Sequence, residues 1–108
     1  MGDSLATAAP EDTILSRVFS GRAGRSLATD YVQAAMAEGA PVPAPYPIQR
    51  GLTAKMRAEA NKSGDIQRMQ AWAGQSARLS RAEPAVEVVG RLWEGAQALL
   101  GWKRFELK

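Results

Sequence analysis

At 108 residues the chain is long enough for one domain, too short for two well-buried ones, and far below the roughly 250 residues that an eight-stranded α/β barrel takes. Hydrophobic residues at 45% and charged residues at 23% are ordinary for a globular domain and exclude disorder along the whole chain. The net charge of +3 is small, and Arg57, Arg68 and Arg91 stand singly among acids and alanines, so the clustered cations of a nucleic-acid footprint are missing and no such partner is expected.

Without cysteine the chain has no disulfide, thiolate zinc site or iron–sulfur cluster of its own. Without histidine, acid–base work near neutral pH would fall to carboxylates, lysine or tyrosine. The first cation is Arg17, so no basic leader followed by an apolar run opens the sequence, and Ala6 stands where a myristoylation signal after Met1-Gly2 wants Ser or Thr. No stretch approaches the roughly 20 apolar residues that span a bilayer. The expectation is a cytoplasmic protein with no membrane partner.

Residues 1–11, rich in Ala, Thr, Ser and Pro, read as a flexible lead-in. Thr13, Ile14, Leu15, Val18 and Phe19 form a β-branched and aromatic run closed by Ser20-Gly21, which predicts one strand over 13–19 ending in a turn, without a partner strand in the chain. Over 25–38, Leu27, Tyr31, Ala34 and Ala35 recur at helical spacing and Gly39 supplies a left-handed stop. The prolines at 41, 43, 45 and 47 predict an extended connector.

Pro47 suits the first position of a second helix, whose apolar stripe Ile48, Leu52, Met56 and Ala60 ends near Ser63-Gly64. Asp65 can cap a third, short helix carrying Ile66, Met69 and Ala73 and breaking at Gly74. From Pro84 to about Leu100, Val86, Val89, Trp93, Ala96 and Leu100 line one face while Glu87, Arg91 and Glu94 lie opposite, predicting a fourth helix. Ser80 and Glu83 mimic a capping box, but Pro84 favours the later start. The pattern describes a mainly α domain over 12–101, a small bundle of about four helices and one short strand, followed by a tail at 102–108 that holds Trp102, Phe105 and Leu107.

No self-sufficient catalytic or metal motif appears: there is no GxxxxGK[ST] loop, GxGxxG turn, HExxH or GxSxG. Glu83, Glu87 and Glu94 read as a solvated helix face. Arg17, Arg22 and Arg25 around Ser20-Gly21 make the densest positive charge, and a strand end, a glycine and a helix start there form a candidate anion site; the alternative is a surface turn with exposed arginines. Trp72, Gly74 and Gln75 set an aromatic and an amide around a glycine. Such a group can lie against a flat heteroaromatic ring, or Trp72 can simply be core at a helix end. Tyr46 and Gln49 read by default as a packed tyrosine and a solvated helix-start residue.

Taken in order, Phe19-Ser20-Gly21-Arg22, Tyr46-Pro47-Ile48-Gln49 and Trp72-Ala73-Gly74-Gln75 resemble the C-terminal part of FMN-dependent nitronate monooxygenases, also called 2-nitropropane dioxygenases. The resemblance runs from about Asp12 to about Leu100 and departs at Ala23-Gly24-Arg25, where the family pattern usually continues Pro-Ala-Arg. It implies the end of a (β/α)8 barrel enzyme that oxidises alkyl nitronates with O₂ to a carbonyl compound and nitrite. The turn holding the FMN phosphate and the proton-transferring histidine would lie before Met1.

On that resemblance no catalytic or metal-binding residue is expected in this chain. Trp72, Gly74 and Gln75 would border the flavin pocket, and Arg22 would order the loop after its strand. FMN is not expected to bind tightly to this chain alone, and the implied partner is a polypeptide that supplies the barrel. The contrasting reading is a stand-alone helical interaction module that forms a homo-oligomer or binds RNA weakly, suggested by the lone strand and the amphipathic helices.

Overall fold

In the computed structural model, which describes residues 2–101, the chain is mostly helical, with a small sheet at its centre. Helix α1 (Gly2–Thr7) and a 3₁₀ turn (Pro10–Asp12) lead into strand β1 (Thr13–Ser16). A seven-residue loop reverses the chain into β2 (Gly24–Leu27), which pairs antiparallel with β1 in the register Thr13↔Leu27 to Ser16↔Gly24. Helices α2 (Asp30–Ala35), α3 (Ile48–Leu52), α4 (Ala54–Ser63) and α5 (Ala85–Leu99) follow, with a second 3₁₀ turn at Ala77–Leu79. The tail at 102–108 lies outside the described residues.

The sequence places one lone strand here, and the structure corrects that. The partner strand is β2, in residues whose apolar spacing reads as the start of a helix over 25–38; only Asp30–Ala35 is α-helical. The reason lies in the turn. Gly21 takes φ +88, and Arg17 C=O accepts from its N–H at 2.9 Å, so the chain doubles back and 24–27 finds its hydrogen-bond partners in β1 rather than along a helix. Antiparallel pairing also sets this hairpin apart from a (β/α)8 barrel, whose strands are all parallel.

A second correction concerns 65–73, where no third helix forms. Asp65 Oδ1 accepts from the Gln67 N–H at 3.0 Å in a turn, and the chain then runs extended along the free edge of β2. Leu27 N–H donates to Ala71 C=O at 2.9 Å, Ala73 N–H donates to Arg25 C=O at 3.2 Å, and Ser26 bridges Trp72. The burial of Ala71, Trp72 and Ala73, at 0%, 43% and 9% exposed, alternates with the strand period of two.

The helix expected to run from Pro47 is interrupted at Thr53 (φ −90°, ψ −3°), giving α3 and α4 instead of one rod, and Gly64 ends α4 in the left-handed region as its position suggested. Two apolar clusters flank the sheet. Val18, Phe19 and Val32 gather Ile14, Tyr31, Ala35 and Met56 on one side, while Ala8, Leu27, Ala71, Ala73 and Ala77 gather Leu5 and Ile66 on the other. Helix α5 matches its expected span from Pro84, its N-cap, yet none of its residues is buried. The molecule is accordingly elongated, 68 × 26 × 25 Å.

Candidate functional site

The three strings, more than twenty residues apart in sequence, meet along one seam beside β2. Phe19 is the largest fully buried side chain among the described residues, and its backbone carbonyl is held by the Thr53 hydroxyl at 2.7 Å. The carbonyl of Val18 next to it accepts from Tyr31 Oη–H and from Gln49 Nε2–H, both at 2.8 Å. Gln49 Oε1 in turn accepts from the Ala44 N–H at 3.0 Å, so one amide ties the proline connector to the hairpin loop. Burial pushes the Tyr31 phenol above its usual 10.0, with the adjacent Gln49 amide partly opposing.

Arg22 lies over the Tyr46 ring, its guanidinium carbon 4.1 Å from the centroid, a cation–π contact that joins the first string to the second. Gly21 is required there on two counts. Its φ is left-handed, and any Cβ would overlap the backbone of Ala44, Pro45 and Tyr46. Phe19 then meets Trp72 edge to face at 5.9 Å and 74°, and Tyr31 at 5.1 Å, joining the first string to the third.

Trp72, Ala73, Gly74 and Gln75 follow the edge of β2 outward from this cluster. Ser26 and Trp72 are directly paired and so share a face, which places the indole diagonally over Gly24, two residues along the strand. An aromatic laid across a strand glycine covers backbone that would otherwise stay bare. Trp72 remains 43% exposed, Gly74 and Gln75 are exposed, and open space surrounds the position of a Gly74 Cβ.

Two readings change with this geometry. The anion site drawn from Arg17, Arg22 and Arg25 loses its helix start, because a strand begins at Gly24, and each guanidinium is engaged within the chain. Arg17 donates to Gly21 C=O, Arg25 to Thr13 C=O and Oγ1, all at 3.2 Å, and Arg22 covers Tyr46. Gln49, expected to be solvated, is the clamp described above, and Tyr46 is 44% exposed beneath Arg22 rather than packed away.

Sequence reasoning missed Thr53 and Gly24. Thr53 had a signal, being a poor helix former in the middle of a helical stripe. Gly24 had one in its departure from the family pattern. Among the described residues no group of three or more Asp, Glu, His or Cys side chains could hold a metal ion, and no helix is long and apolar enough to cross a membrane.

The sequence profile described as nitronate monooxygenase matches residues 3–95. A probable nitronate monooxygenase of Staphylococcus haemolyticus is 34% identical over 89 residues, which are 82% of this chain and 25% of that protein. One from Staphylococcus aureus strain Newman is 27% identical over 101 residues, 94% of this chain and 28% of that protein. Among solved structures, the nitroalkane oxidase of Streptomyces ansochromogenes superposes with a TM-score of 0.70 at 37% identity, covering 90% of this chain and 28% of that one. The chain thus spans about a quarter of the length of these relatives. With the matched profile extending over most of its residues and three family strings converging on one seam, this chain belongs to the nitronate monooxygenase family.

Proposed function

We propose that this chain acts as the C-terminal segment of an FMN-dependent, nitronate-oxidising enzyme, with Trp72, Gly74 and Gln75 on the rim of the flavin pocket and Arg22 ordering the loop behind them. The observation that carries this reading is the convergence of the three strings on the seam between Arg22 and Trp72 in a chain of this family. Bound FMN would supply the redox chemistry, in which an alkyl nitronate and O₂ give a carbonyl compound and nitrite.

The residues present fit one wall of such a pocket. The part-exposed indole of Trp72 offers a flat apolar surface, and the Gln75 amide offers a donor and an acceptor. Gly74 has no positive φ, and a methyl placed on it would meet nothing within 4 Å, so it leaves room for a flat ring to approach the backbone there. The same residues do not fit a phosphate site, since the arginines at hand are spent on their own chain. The chain by itself is therefore expected neither to retain FMN nor to consume nitronate.

The barrel and the catalytic base would come from a companion segment or polypeptide in the cytoplasm. Support for a large partner is the face of α5, where Val86, Val89, Leu92 and Trp93 are all more than half exposed. Replacing the corresponding 28% of the Streptomyces ansochromogenes enzyme with this chain tests the reading. The chimaera should hold flavin and consume nitronate, and Trp72→Ala and Gln75→Ala should weaken flavin retention. A folded chimaera without flavin, or one indifferent to both substitutions, would sink it. The α5 face also favours a second reading, self-association of the free chain, which sedimentation across a range of concentrations reports directly.

A further inference from the structure

We propose that Gly24 is a positioning residue for Trp72: lacking a Cβ, it seats the indole on β2, fixes how far the ring reaches into the neighbouring pocket, and thereby sets the bulk of the nitronate admitted. The selectivity part rests on the rim reading above; the seat itself does not.

An ideal Cβ at Gly24 lies 2.5 Å from Trp72 Cζ3, 2.6 Å from Cη2 and 3.3 Å from Cε3. Carbon atoms settle at about 3.5–4.0 Å, so these are overlaps and not contacts. Gly24 has no positive φ, and the three atoms nearest to that Cβ all belong to the ring. The two overlaps below 3 Å are thus with the indole.

The atoms over Gly24 belong to the benzo edge, which leaves the pyrrole edge with its Nε1–H on the opposite side of the bicycle; among the described residues that N–H has no hydrogen-bond partner. Retreat is blocked on one side. Phe19, 1% exposed, meets the ring edge-on and is itself backed by Tyr31. A methyl at position 24 must therefore lift the ring by about 1 Å toward its open side, the difference between the overlap and ordinary contact.

The full 108-residue chain carrying Trp93→Phe and Trp102→Phe reports on Trp72 alone. Adding Gly24→Ala should shift the emission to the red and raise quenching by acrylamide, and unchanged fluorescence would overturn the seat. A double-mutant cycle with Trp72→Phe reads it independently, because the smaller phenyl ring ends short of the places that Cζ3 and Cη2 occupy. Gly24→Ala should lower the folding constant by about tenfold or more when Trp72 is present and leave it nearly unchanged in the Trp72→Phe background. Equal losses in both backgrounds overturn the proposal. Should Gly24→Ala fail to fold, recovery of folding in the double variant supports the seat and failure to recover refutes it.

In the chimaera, Gly24→Ala should reduce kcat/KM for a branched nitronate by up to about 10²-fold while sparing a short linear one, since a misplacement of about 1 Å can cost that much. Equal loss for both substrates overturns the selectivity role. The fluorescence and stability arms need no flavin, so failure of the rim reading and failure of the seat are told apart.

Discussion

Replacing Thr53 with valine tests the seam at a buried hydrogen bond. Thr53 is 5% exposed, and its hydroxyl donates to Phe19 C=O at 2.7 Å across 34 residues of sequence. Valine keeps the shape and removes the donor, so the carbonyl of the fully buried Phe19 loses its side-chain partner, a loss of about 1–3 kcal/mol. Arg57 Nε also loses its acceptor in Thr53 Oγ1, but the same guanidinium keeps Arg50 C=O at 3.0 Å and adds little. The extra apolar burial of a methyl offsets part, about 0.8 kcal/mol at most. A net loss of about 1.5 kcal/mol follows, which for a domain of this size lowers Tm by about 6–12 °C. Thr53→Ser keeps the hydroxyl and should lose only the methyl, about 0.8 kcal/mol. Chemical denaturation followed by far-ultraviolet circular dichroism measures all three chains. If Thr53→Val matches the parent, or is more stable than Thr53→Ser, the carbonyl is not held as argued. Because Phe19 backs Trp72, the valine variant of the chimaera should also hold flavin less well.

Tyr31 gives a pH signature. Its phenol is raised in the folded chain by burial, so the folded state holds that proton more tightly than the unfolded one. The contribution is complete below about pH 10 and is lost as pH rises through the folded value. Tyr31→Phe should cost about 0.5–1 kcal/mol at neutral pH, since Gln49 still serves Val18 C=O, and the gap to the parent should close in denaturation curves taken above about pH 10. A gap that stays constant would remove the burial argument. Arg22→Met keeps the unbranched apolar stem of the side chain and removes the guanidinium from above Tyr46; a loss of about 0.5–1 kcal/mol is expected, abolished when Tyr46 is already replaced by leucine. Additive losses in that pair would show that the cation–π contact contributes nothing.

The local elements that were legible in the sequence are those whose pattern and punctuation agree. Pro84 and the three- and four-residue spacing from Val86 to Leu100 specify α5, and Gly64 specifies the end of α4, because caps and left-handed stops act within a few residues. The family strings were likewise legible, since they are local too. Their meeting was not: nothing in the sequence states that Gln49 reaches Val18 or that Thr53 reaches Phe19.

The elements misread as helix, 25–27 and 66–73, show why. Small apolar residues such as Ala71 and Ala73 fit a helical stripe as well as a strand, and propensity does not choose between them. The choice fell to pairing. Once Gly21 turns the hairpin, β2 presents one open edge, and the hydrogen bonds to Ala71 and from Ala73 are available only in the extended form. Sequence alone thus determined the family, the last helix and the turn glycines. The tertiary structure decided the sheet, the clamp on Val18 and Phe19, and the place of Trp72 over Gly24, because each depends on groups brought together from distant parts of the chain.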